Sequence, residues 1–248
     1  KAFSDVFGIE TGKMLMQRNI DGFKIHPTDI KNPPLLKFLA ETDKPLLLTV
    51  GGSFKEEIEQ ALNILQTNGA GEITVMHGFQ SYPTLVEDTN LLKMILYRDA
   101  FGLPIGFADH IDGDHELRFA LPAFAVGMGA RVIEKHITIE RSLQMEDYQS
   151  SLSPTDFITF VRQLRALESA LGKKEFDLTA PELVYRKGTK KHIVAAADLP
   201  AGHLLIEDDL FMKRTPEAYE FQDREKIVGK TLGQDIKKDE VIKIETLL

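Results

Sequence analysis

Cysteine is absent from the 248 residues, and so is tryptophan. Without thiols there is no disulfide and no thiolate metal site, so a metal would have to be held by His, Asp, Glu or water. No apolar run approaches the ~20 residues that a membrane-crossing helix needs, and no signal-peptide pattern is visible. Positive charge is in the minority, with 30 Lys and Arg against 38 Asp and Glu and a net charge of −8. Nothing in that balance draws the chain to nucleic acid. These absences point to a soluble, cytoplasmic protein that binds neither nucleic acid nor membrane. What is present is a 43% share of hydrophobic residues, enough to fill one large core or two smaller ones.

Residues 1–172 alternate between short apolar runs and longer segments of helical spacing. The runs at 22–27, 45–51, 73–79, 103–110 and 131–139 read as buried strands. Helices are predicted over 34–42, 54–68, 90–101, 116–129 and 154–171. Ser153 is placed to cap the last of these and Gly172 to end it. Strand followed by helix, repeated, implies a parallel sheet with crossover helices. Five units cannot close a (β/α)8 TIM barrel. The tail of a sixth strand at 1–3 would still leave an apolar edge, so the expectation is a barrel whose N-terminal strands lie outside this sequence. An open doubly wound sheet is the alternative. Residues 173–188 lose the period and read as a linker. Residues 189–248 then show short β-like runs at 192–197, 204–206, 210–213 and 241–244, separated by turns, which predicts a small β-rich domain.

Active-site groups of such barrels lie at the C-terminal ends of the strands. Here those ends carry Lys24, His26, Thr28 and Asp29; then Thr49 before Gly51-Gly52-Ser53; then His77, Gln80 and Tyr82; then Asp109 and His110; then Glu134, Lys135, His136 and Thr138. Polar groups at every strand end indicate a site without naming its reaction. His110 and His136 end neighbouring strands, so two imidazoles could share a divalent ion. Two hydrogen-bonded strand-end histidines would look the same in sequence. Lys24 and Lys135 interrupt apolar runs and need an anionic partner, either a substrate phosphate or carboxylate or a nearby acid. A Schiff-base lysine is a further reading of either.

The ordered motifs resemble the N-acetylneuraminate (sialic acid) synthase family, including its spore coat polysaccharide branch. They are Phe23-Lys24-Ile25, Thr49-Val50-Gly51, His77 through Thr84, Gly106-Phe107-Ala108-Asp109-His110, Glu134-Lys135-His136-Ile137-Thr138 and Met145-Glu146-Asp147. The tail is similar to an antifreeze-like (SAF) domain through Val194-Ala195-Ala196, Lys213-Arg214-Thr215-Pro216 and Ile227-Val228-Gly229-Lys230. The resemblance implies condensation of phosphoenolpyruvate with an N-acetylated aldose, such as N-acetylmannosamine, to a nonulosonic acid and phosphate. It implies His110 and His136 as ligands of a divalent metal, usually Mn, with Mg or Co as alternatives. It implies Lys24, Thr49, Gln80, Tyr82, Lys135 and Asp147 as substrate contacts, with Lys24 and Tyr82 also catalytic. Arg214 would be donated by the SAF domain across a domain-swapped homodimer.

Several positions depart from the family pattern. Asp29 stands near the place of a catalytic Glu and is the candidate for its acid–base work. Ala108 replaces a phosphate-contacting Ser, Gly78 a common Cys, and Gln80 an Asn. Two rival readings therefore stand beside the synthase: a Schiff-base aldolase on the same barrel, and a degenerate homologue that binds sugar without turning it over.

Overall fold

A computed structural model describes residues 1–78, 81–215 and 223–248. The chain divides into two compact units, Lys1–Gly172 and Lys173–Leu248. Among the described residues of the first unit, strands and helices alternate as β1 (Phe3–Asp5), α1 (Ile9–Gln17), β2 (Gly22–Ile25), α2 (Pro33–Ala40), β3 (Leu46–Thr49), α3 (Lys55–Thr67), β4 (Ile73–His77), α4 (Leu92–Phe101), β5 (Ile105–Asp109), α5 (Ala120–Gly127), β6 (Val132–Lys135) and α6 (Pro154–Ser169). The six strands form one parallel sheet in sequence order. The predicted strand tail near the N-terminus is thus a strand that pairs with β2, and α1 follows it where the sequence pattern suggests nothing.

Local chemistry explains the helix ends. Asn32 accepts from the Leu35 N–H at the start of α2, with Pro33 and Pro34 in its first turn, where a missing N–H costs nothing. Ser153 caps α6 through the Asp156 N–H. Gly102 stops α4 at a φ of +65°, a conformation open to glycine. On α3 the stripe Ile58, Ala61, Leu62 and Leu65 is buried, as its spacing predicts. These side chains meet Phe23, Leu46, Leu48, Val75 and Phe107 from the sheet in one core between strands and helices. Each large side chain buried there contributes on the order of 1.5–3 kcal/mol.

The opposite face of the sheet is concave. Lys24 of β2 lies 2.9 Å from Glu134 of β6, although three strands separate β2 from β6 in the sheet. In a flat sheet, strands four places apart stand about 19 Å from each other at the usual ~4.8 Å spacing. The contact therefore requires the sheet to curl, and it curls in the manner of a barrel wall.

In the second unit the segment read as a linker contains all but the last residue of α7 (Ala180–Thr189), opened by a capping box between Thr179 and Glu182. After it, β7 (His192–Ala195) pairs antiparallel with β8 (Leu210–Lys213). Isolated bridges Val194↔Val241, Leu199↔Ile236 and Leu204↔Thr231 fold the rest around them. This unit has its own core, built on Ile193, Leu205, Ile227, Leu232 and Ile242. No helix among the described residues is long and apolar enough to cross a membrane.

Candidate active site

Side-chain alternation sorts each strand into a core face and a concave face. On β6, Ile133 packs on the core, so Glu134 points into the concavity. On β5, Phe107 faces the core and Ala108 the concavity. His110 and His136, just past the ends of these strands, continue the concave face. Their rings lie 5.0 Å apart between centroids. Glu134 Oε1 is 3.8 Å from His110 Nε2. One donor atom from each of His110, Glu134 and His136 lies within 4.8 Å of the others. Two imidazoles and a carboxylate suit a borderline or hard divalent ion, and their spacing fits a shared ion, so these residues fit the metal that the resemblance implies. The strand-end spacing leaves a shared ion open for the two histidines, the family resemblance implies it, and neither singles out Glu134 from the other polar strand ends.

Lys24 forms the other wall. Its amine contacts Glu134 at 2.9 Å and Asp5 of β1 at 3.3 Å. Burial works against the charge, but the two carboxylates outweigh it and hold the Lys24 pKa above the ordinary lysine value. Asp5 has no place in the sequence reading. Tyr82 covers both histidines edge-on, with ring centroids at 4.9 and 5.7 Å. Burial, then the nearby Asp147 charge, push its phenol pKa up, so the hydroxyl keeps its proton at neutral pH. Asp147 Oδ2 stands 3.5 Å from His136 Nδ1. Thr49, at the end of β3, is fully buried, and its hydroxyl oxygen makes no hydrogen bond among the described residues.

Other expected residues are placed elsewhere. Asp29 makes its side-chain hydrogen bonds within its own turn, to Asn32 and Thr28, and joins none of the contacts above. Lys135 faces away from the concavity: its amine is 2.7 Å from Asp109, and both side chains are almost wholly enclosed. Burial pushes the Lys135 pKa down and the Asp109 pKa up, and their mutual attraction opposes both shifts. Of the two partners the sequence leaves open for Lys135, the structure supplies the nearby acid, in place of the substrate contact that the resemblance implies. His77 is also a core residue, with Nε2 2.8 Å from the Thr89 carbonyl oxygen. Arg214 is an exposed residue of the second unit. Gln80 lies outside the described residues.

A Schiff-base lysine must be reachable and able to lose its proton. Lys24 is held protonated and Lys135 is enclosed, so the aldolase reading gains no support from either. Two departures from the family pattern touch each other: a Cβ at Gly78 would come within 2.6 Å of the Ala108 carbonyl oxygen. The missing side chain at 78 thus goes with the close approach of the strand that carries Ala108.

The NeuB family profile matches residues 1–176, and the SAF domain profile matches residues 191–248. The chain belongs to the NeuB family. It is 32% identical to the N,N'-diacetyllegionaminic acid synthase of Campylobacter jejuni, over 97% of this chain and 71% of that protein. Among solved structures it is similar to the N-acetylneuraminic acid synthetase of Leptospira borgpetersenii, with a TM-score of 0.66 and 28% identity over 75% of this chain and 64% of that one. A spore coat polysaccharide biosynthesis protein E from Chromobacterium violaceum shares the fold at a TM-score of 0.82 over all of this chain and 74% of its own, with 23% identity.

Proposed function

We propose that this NeuB protein condenses phosphoenolpyruvate with an N-acetylated aldose, forming a sialic acid-like nonulosonic acid and phosphate. The observation that carries the reading is the convergence of His110, Glu134 and His136, with the Lys24 cation opposite them. Those three residues would hold a divalent ion, Mn by preference, which supplies Lewis acidity to a carbonyl oxygen when bound. Lys24 offers a fixed positive charge to the phosphate or carboxylate of phosphoenolpyruvate. The Thr49 hydroxyl is an unused donor in the same wall, and the protonated Tyr82 phenol can donate beside the histidines. Asp147, beside His136, would accept from sugar hydroxyls. Gln80, a further phosphoenolpyruvate contact, and Arg214, donated to the sugar acyl group across a domain-swapped homodimer, are carried by the family resemblance. In this reading the six strands belong to a (β/α)8 barrel, which their parallel order and curl fit, and the enzyme works in the cytoplasm. Asp29 receives no role, because its contacts stay within its turn.

The test is phosphate release from phosphoenolpyruvate with Mn, against a panel of N-acetylated aldoses that includes N-acetylmannosamine. EDTA and His136→Ala serve as controls. Aldose-dependent release that both controls abolish is the expected result. A folded, metal-loaded protein that releases no phosphate with any aldose of the panel would sink the proposal.

A further inference from the structure

Behind the pocket, on the core side of the sheet, lies an ionic contact that the proposed chemistry does not use. Asp109 closes β5 and Lys135 closes β6. The two are register partners, one step beyond Ala108↔Glu134. Each continues the face of its strand that packs on the core through Phe107 or Ile133. Their charged atoms are 2.7 Å apart, with side-chain exposures of 1% for Lys135 and 0% for Asp109. The second carboxylate oxygen of Asp109 accepts the Ile111 N–H at 3.1 Å. One carboxylate therefore fixes the backbone immediately after His110 and also grips the residue that lies between Glu134 and His136. Stability alone gives no reason for charges at this point, since well-packed apolar residues often replace a buried ion pair without loss.

We propose that Asp109 and Lys135 form a positioning pair, which locks the ends of β5 and β6 in the register that brings His110, Glu134 and His136 together. This inference rests on the metal reading given above. Its physical basis is the two-residue period of a strand. A slip of one residue would carry Glu134 and His136 out of the concavity and turn Lys135 into it. A slip leaves Lys135 without its carboxylate, so the pair selects one register. Supporting residues of this kind, which orient metal ligands without touching the metal, typically change metal affinity by about 10- to 100-fold when replaced.

The test compares the full-length protein with the double variant Asp109→Asn/Lys135→Met, which leaves no unpaired charge. Mn2+ binding is titrated by electron paramagnetic resonance, the Co2+ form is examined by visible absorption, and the metal-free proteins are melted in parallel. The expected result is a Mn2+ dissociation constant raised about 10- to 100-fold and an altered Co2+ spectrum, with little change in metal-free melting. A folded double variant with wild-type Mn2+ affinity and Co2+ spectrum overturns the positioning role and leaves the metal reading standing. Wild-type protein that takes up neither ion overturns both. Should the double variant fail to fold, Asp109→Asn/Lys135→Gln, which also leaves no unpaired charge, carries the same comparison. Weakened Mn2+ binding then supports the pair, and unchanged binding refutes it.

Discussion

Replacing Gly113 by alanine gives the sharpest test of how the rim of the pocket is packed. Gly113 sits in the loop after β5, and its N–H donates to the Gln149 carbonyl oxygen at 2.7 Å. A Cβ there would overlap the Arg141 guanidinium and the Ser151 carbonyl group. The Ser151 atoms are backbone, so a turn of one flexible side chain cannot relieve the overlap. Arg141 is itself held, donating to the Ser151 carbonyl at 2.9 Å and facing Asp112 at 3.3 Å and Asp114 at 3.2 Å. Overpacking of this kind costs about 1–3 kcal/mol. For a chain of this size each kcal/mol lowers the melting temperature by roughly 2–4 °C. The damage should also reach function. Ser150 Oγ donates to the His110 carbonyl at 2.6 Å and the Leu152 N–H to that of His136 at 2.9 Å, so moving this segment disturbs the backbone behind both imidazoles. Calorimetry of Gly113→Ala beside Gly127→Ala separates the packing effect from generic glycine effects. Gly127 ends α5, and a methyl group added there would meet nothing within 4 Å, so that variant should gain about 0.4–1 kcal/mol. Equal melting of Gly113→Ala and wild type would refute the packing argument.

Two further outcomes follow from the ionisable groups. Lys24→Met leaves Glu134 and Asp5 without their shared cation, so stability should fall by about 1–3 kcal/mol and the KM for phosphoenolpyruvate should rise tenfold for each ~1.4 kcal/mol of lost contact; unchanged denaturation and an unchanged KM would remove Lys24 from the site. His77 is kept neutral by burial, which lowers its pKa, whereas the unfolded chain takes up that proton near pH ~6.5. The unfolded state therefore binds more protons below that pH. The stabilisation is complete above pH ~6.5 and is lost as pH falls toward the lowered folded value, by at most about 1.4 kcal/mol per pH unit. Denaturant titrations of wild type and His77→Gln at several pH values should show this slope in the first and not in the second; identical slopes would contradict a neutral buried His77.

The strand-and-helix alternation of residues 22–171 was legible because buried strands and amphipathic helices leave different periods in sequence. The helix at 9–17 was not, since Gly12 interrupts its apolar stripe; in the fold that glycine lies against Phe38, where a Cβ would crowd the ring. The helix at 180–189 carried a readable signal, the Thr179–Glu182 capping box, hidden behind the charged run that precedes it. In the site, the nearness of the two histidines could be read because they end adjacent strands, while their part in a metal site came from the family resemblance. The Lys24–Glu134 contact could not, because 110 residues separate the partners and only the curl of the sheet unites them. Lys135 shows the opposite case. Strict alternation from Ile133 would have placed it on the core side, but its neighbours Glu134 and His136 drew it into the expected site.

Helix α7 has no buried residue, and it occupies most of the stretch between the two family matches, which end at 176 and resume at 191. Each match encloses a hydrophobic core of its own. This helix therefore contributes no residue to either core. Evolution can lengthen, shorten or rewrite it without unpicking either core, so the two modules are free to diverge at different speeds while inherited as one polypeptide.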